Sequence, residues 1–261
     1  MKLPMKKSLS LAVALSMTSA LVAPVAAFAQ DPMTAEPIMV KTETVCSDRT
    51  IKWEAEYAER QVKEGDRLSK LRADQDSRIA KNRDEWNGKL LSNRNDAEAK
   101  RLENRAKQDS KMIERNASEA VKAAAAAYRA AVDVAIVARK AAVDAANAAF
   151  RSAHDASLKT RRAAVDTAVA TRKSAVDAAY AEWKTRCNGT ADERKAANEK
   201  FRAAVKVSRE TFYKSVNAAQ EAHKASMKSA QDTRQAALKS ALETYKKAVE
   251  AAQAAFKAAK S

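Results

Sequence analysis

The sequence predicts an all-α fold, a long antiparallel three-helix coiled-coil bundle built on eleven-residue repeats. Three observations carry that expectation. All four prolines lie before residue 40 and only three glycines occur in 261 residues, so everything after Pro37 lacks the strongest helix breaker. The chain is rich in Ala, Lys, Arg, Glu and Gln, the composition of long helices. A repeat of eleven residues runs through most of it.

The first segment, residues 1–29, reads as a cleaved secretory signal peptide. Lys2, Lys6 and Lys7 precede an apolar stretch from Leu9 to Val25, which ends in Ala27-Phe28-Ala29. A basic start, a short apolar centre and an A-x-A ending are the physical marks of an export leader. Cleavage after Ala29 removes 29 of the 261 residues and three of the +16 charges. No later apolar run is long enough to span a bilayer, so the mature chain is expected to have no transmembrane segment. The style of the leader points to a bacterial protein, periplasmic or secreted. Residues 30–46, with Pro32 and Pro37, read as a flexible arm.

Two kinds of eleven-residue unit follow. The first occupies residues 47–115: Arg78-Ile-Ala-Lys-Asn-Arg83, Lys89-Leu-Leu-Ser-Asn-Arg94 and Lys100-Arg-Leu-Glu-Asn-Arg105. Its apolar seam runs through Trp53, Tyr57, Leu68, Leu71, Ile79, Trp86, Leu90 and Met112. Asn82, Asn93 and Asn104 interrupt that seam and make it wet and loosely packed.

The second unit fills residues 118–186: Arg129-Ala-Ala-Val-Asp133, Lys140-Ala-Ala-Val-Asp144, Arg151-Ser-Ala-His-Asp155, Arg162-Ala-Ala-Val-Asp166 and Lys173-Ser-Ala-Val-Asp177. Beside its bulky seam lies a stripe of small residues, Ala131, Ala135, Ala142, Ala146, Ala153, Ala164, Ala168 and Ala175. A face this wide is expected to touch two neighbours, and alanine lets backbones approach closely. The same frame continues in residues 191–259 as Lys195-Ala-Ala-Asn-Glu199, Lys228-Ser-Ala-Gln-Asp232 and Lys239-Ser-Ala-Leu-Glu243. There the bulky residues shift to Phe201, Val205, Phe212, Val216, Met227, Leu238, Tyr245, Val249 and Phe256. Eleven residues make three turns at about 3.67 per turn, so the seam drifts little and each rod runs nearly straight.

Two breaks divide the repeats. Cys187-Asn188-Gly189-Thr190 offers an Asn-Gly pair able to adopt a left-handed helix end, followed by Thr190 and Glu193 at capping-box spacing. Asn116-Ala117-Ser118-Glu119 has capping-box spacing again, where the first unit gives way to the second. The resulting segments 47–115, 118–186 and 191–259 are equal, each about 104 Å of helix. The midpoint between Cys46 and Cys187 falls between Asn116 and Ala117, so folding there brings the cysteines together. An exported chain with two cysteines so placed is expected to form the bridge Cys46–Cys187. The competing architecture is one or two very long continuous helices in an oligomeric coiled coil, because the repeat passes through Asn188-Gly189 without losing phase.

No chemistry-bearing motif is evident, and the chain is not expected to be an enzyme. His154 and His223 replace apolar residues of the repeat and read as seam histidines. Asp133, Asp144, Asp155, Asp166 and Asp177 recur about every 16.5 Å along a helix, too far apart to share a metal or a substrate. Each is expected to pair with the basic residue four positions earlier, a modest helix-surface interaction. No cofactor or metal is implied. Asn116-Ala-Ser118 and Asn188-Gly-Thr190 fit the glycosylation sequon, but helix capping explains both.

The function class that fits best is a structural, spacer or scaffolding protein of the periplasm or cell envelope, with self-association through helix faces or with envelope proteins as partners. The alternative is binding to a polyanion such as DNA, anionic polysaccharide or anionic lipid, motivated by the +13 that remains of the net charge of +16 once the leader's three lysines are removed. Arg101, Arg139, Arg161 and Arg172, which interrupt apolar seams, are the residues to watch for such contacts. In repeat length and composition the chain also resembles the alanine- and lysine-rich late embryogenesis abundant proteins over its repeat region. That resemblance implies a stress-protective role and an isolated chain that is poorly folded.

Overall fold

The computed structural model describes residues 45–259, which form three helices: α1 (Val45–Glu114), α2 (Glu119–Arg186) and α3 (Ala191–Ala258). The expected leader at 1–29 and the arm up to residue 44 lie outside the described residues. At 68 residues α2 spans about 102 Å, so the molecule is a rod one helix long. Helix α1 runs unbroken through Gly65 and Gly88.

The turn between α1 and α2 is a Schellman closure. Asn116 takes a positive φ of 49°, the amide of Ala117 donates to the Met112 carbonyl at 3.0 Å, and that of Asn116 donates to the Ile113 carbonyl at 3.0 Å. Asn116 therefore ends α1, and the cap of α2 is Ser118, whose hydroxyl accepts from the Val121 amide at 3.4 Å.

The second turn differs from the sequence expectation. Neither Asn188 nor Gly189 adopts a left-handed conformation. Glycine at 189 leaves room for the Glu193 side chain: a Cβ there would stand 2.5 Å from a carboxylate oxygen and push it aside. That carboxylate folds back to accept the Thr190 amide at 2.7 Å, while the Thr190 hydroxyl accepts from the Glu193 amide, completing the capping box of α3.

The packing is uneven. The backbones of α2 and α3 approach one another closely, whereas α1 stands further from both. Ring contacts trace the antiparallel α2/α3 seam from Tyr128–Phe256 near one end to Trp183–Phe201 at the other. Ala135, Ala146 and Ala168 are buried, and Ala168 packs on Phe212 and Val216, the most deeply buried large side chains. The small-residue stripe is narrower than the sequence suggests, for Ala131, Ala142, Ala153 and Ala175 are exposed. Helix α1 lies parallel to α3, with Trp53 against Phe201 and Trp86 against Arg234. Of its seam residues only Ile79 is buried outright, and Asn82, Asn93 and Asn104 are exposed to water.

Candidate functional site

The features that could carry function are a clasped end, a ladder of ion pairs and a polar stretch of core. At the clasped end a disulfide joins Cys46 to Cys187, with the two Cα atoms 6.2 Å apart. Two turns further into the rod, Trp53 stacks on Tyr57 at 4.7 Å and on Tyr180 at 3.9 Å, and Phe201 of α3 meets Trp53 edge-on. Tyr180 donates from its hydroxyl to the Thr50 carbonyl at 3.3 Å. Burial and the adjacent Glu54 push its phenol up to about 12. Burial and Asp177 do the same to Tyr57. The end is therefore closed by a covalent bond, by stacked rings of α1 and α2, and by an edge-on ring of α3.

The ladder runs between α1 and α2. Arg72 meets Asp166 at 2.6 Å, Arg83 meets Asp155 at 2.5 Å, Arg94 meets Asp144 at 2.5 Å and Arg105 meets Asp133 at 2.6 Å. Each step of eleven forward along α1 is matched by eleven backward along α2, so the two kinds of repeat are halves of one antiparallel register. Three of these four pairs are two-pronged, as the planar guanidinium allows. Other rungs reverse the polarity: Arg129 of α2 reaches Asp109, and Arg162 reaches Asp76, both at 2.6 Å. The arginine beside each of Asp76, Asp109, Asp133 and Asp155 holds that carboxyl below its usual value.

This overturns the expected pairing within α2. Of the five aspartates only Asp177 bonds the basic residue four positions earlier, Lys173, at 2.7 Å. The reason lies on the opposite helix. Eleven residues before Arg72 the chain has Gln61, so Asp177 meets no guanidinium there. Where an arginine is present, its fork across the interface wins over a local pair in the less favourable Lys-before-Asp order.

Midway along the rod the α2/α3 seam turns polar. Arg234, 8% exposed, donates to Asn147 at 2.7 Å and sits over the Phe150 and Trp86 rings at 5.3 and 5.9 Å. The His154 and His223 rings lie 6.3 Å apart, and His223 Nδ1 is 2.8 Å from the Ser157 hydroxyl. Burial, helped by Arg161 and His154, lowers the His223 pKa, so the neutral imidazole is the form the core holds.

The four arginines singled out from the sequence are not grouped on one surface. Arg101 bonds Asp133 at 2.8 Å and Glu98 at 3.1 Å. Arg161 is half-buried and donates to Gln220 at 2.9 Å. Arg172 bonds Glu64 and covers the Phe212 ring at 4.7 Å. Arg139 lies over Tyr245 at 5.2 Å on the α3 side. Comparison with family models, with curated proteins and with solved structures finds no match for this chain. Among the described residues no group of three His, Cys, Asp or Glu side chains could hold a metal ion, and no helix is long and apolar enough to cross a membrane. The groove between α1 and α2 is lined by ladder residues, Asp76, Asp155, Arg162 and Asp166 among them. Its carboxylates are already matched to guanidinium groups, so the arrangement suits holding two helices in register rather than proton transfer or nucleophilic attack.

Proposed function

We propose that the protein is a non-catalytic structural rod of the exported space, a spacer or scaffold of the periplasm or cell envelope. The ladder supports this reading most. It repeats one contact at equal steps over about 50 Å, the middle half of each helix, and so fixes a register along the rod, where a catalytic site gathers unlike groups at one point. The two ends differ, one a bare four-residue turn and the other clasped by a disulfide and stacked rings, which suits a part that joins two unlike partners.

The polyanion reading has less support, because Arg101, Arg161 and Arg172 are engaged within the bundle. The protective-polymer reading requires a chain that folds poorly alone, and dense periodic interhelix pairing argues against it.

Photo-activated cross-linkers placed at Asn116, at Asn188 and at mid-rod Ala225 in the producing cell test the proposal. A spacer gives distinct adducts from the two ends and fewer from the middle. Adducts spread evenly along the rod, together with heparin retention that survives physiological salt, overturn it in favour of polyanion binding.

A further inference from the structure

The α1/α2 ladder consumes one basic stripe of α1, but the same repeat writes a second. Arg67, Arg78, Lys89, Lys100 and Lys111 recur every eleven residues, all five are exposed, and none takes part in the ion pairs among the described residues. Helix α3 carries the complement. Glu199, Glu210, Glu221, Asp232 and Glu243 also recur every eleven residues, and all are exposed. Two of them make local pairs only, Glu221 with Lys224 and Asp232 with Lys228, each at 2.7 Å. In the Lys-x-x-x-acid frame this stripe is the counterpart of the α2 aspartates that meet the arginines of α1. On α3 it faces water.

We propose that these two stripes form a docking surface for a second copy of this chain, α1 of one rod lying antiparallel against α3 of the next. The register follows from the fold. Helices α1 and α3 are parallel, with Trp53 level with Phe201 and Trp86 level with Arg234. On that scale the acidic stripe is displaced toward the clasped end and the basic stripe toward the turn at Asn116. Antiparallel copies with their ends nearly flush therefore bring Lys89 opposite Glu221. The other four pairs then fall together: Arg67 with Glu243, Arg78 with Asp232, Lys100 with Glu210 and Lys111 with Glu199. Parallel copies need a stagger of about 24 Å to achieve the same match. The excess positive charge of each rod opposes association, but it acts across the full width between axes. Salt screens it beyond about 10 Å, while paired groups in contact are screened less. Because each rod offers α1 and α3 separately, the contact can repeat from rod to rod and build a lateral array.

This inference rests on the structural-rod reading and extends it to assembly. Sedimentation velocity at ~0.1 M and ~1 M salt, where the screening length falls from about 10 to about 3 Å, reads it on the full exported chain. Association at the lower salt and monomers at the higher are expected. One variant reverses the α1 stripe (R67E, R78E, K89E, K100E, K111E) and another reverses the α3 stripe (E199K, E210K, E221K, D232K, E243K). Each alone is expected to be monomeric at both salts, with its helix content checked by circular dichroism, and an equimolar mixture of the two is expected to associate again. Should one variant fail to fold, the same stripes neutralised to Gln serve in its place, each abolishing association. A native chain monomeric at the lower salt overturns the proposal, as does association that survives both reversals. A monomeric native chain that still gives distinct cross-links from its two ends would sink lateral assembly and leave the spacer reading standing.

Discussion

Helix α2 has two neighbours, and it is held to them by different physics. Toward α3 it presents alanines such as Ala146 and Ala168, with Leu158, at close approach, and Phe212 and Val216 fill the space at 3% exposure. Toward α1 it presents arginines, and aspartates that are themselves half in water, paired across a wider gap. The first interface removes apolar surface from solvent and makes many small dispersion contacts, so it supplies most of the cohesion. The second supplies little energy per rung but a strict register, since a guanidinium fork tolerates no axial slip. The rungs share the eleven-residue period of the seam, so they set the register within a repeat, while the short turns and the Cys46–Cys187 bridge exclude a slip by a whole one.

The difference is open to measurement. Phe212→Ala, in the apolar part of the α2/α3 seam nearer the clasped end, is expected to lower stability by about 3 to 5 kcal/mol, read as a reduced denaturation midpoint. Removal of the clasp by C46S with C187S is expected to cost about 2 to 4 kcal/mol. In that variant hydrogen exchange should accelerate first in α1, while α2 and α3 keep their protection. Equal acceleration in all three helices would mean that α1 is bound as firmly as α3. A single rung, Asp144→Asn, is expected to cost only about 0.2 to 1 kcal/mol, and less at high salt.

Acid should separate the two interfaces at smaller amplitude. His223 has its pKa lowered below the ordinary 6.5, so its contribution is complete above that value and is lost as pH falls through the folded pKa. His223→Phe should flatten that part of a melting-temperature profile. The carboxylates of Asp76, Asp109, Asp133 and Asp155 are held below the ordinary 3.8, so the ladder is intact above that value and fails only at lower pH. A profile with one acid transition, unchanged in the His223→Phe variant, would show that the polar core and the ladder do not act separately.

Much of the fold is legible in the sequence because its determinants are local. The absence of proline after Pro37 allows long helices, and Asn116 and Thr190 mark their ends through chemistry contained within four residues. Even there the reason at Gly189 differs, because its Cβ space is claimed by a carboxylate four positions on and no periodicity reports that. The ladder is harder to read. Arg83 and Asp155 are 72 residues apart, and a repeat states which face a residue occupies but not what stands opposite. The available clue is that one unit closes on Arg83, Arg94 and Arg105 and the other on aspartate, with equal periods. Arg101, Arg161 and Arg172 look unpartnered along the chain for the same reason, since Asp133, Gln220 and Glu64 arrive from other helices.

The disulfide between Cys46 and Cys187 also decides how the protein transmits force. It short-circuits a chain separation of 141 residues, so tension applied between residue 45 and residue 259 crosses from Cys46 directly to Cys187. Only α3 then lies in series with the load, and the α1/α2 hairpin hangs beside it without being stretched. Roughly 480 Å of extended chain, at about 3.4 Å per residue, is withheld until the clasp is reduced. The oxidised molecule is thus a short tether with a stiff side arm, and the reduced one is a far longer line.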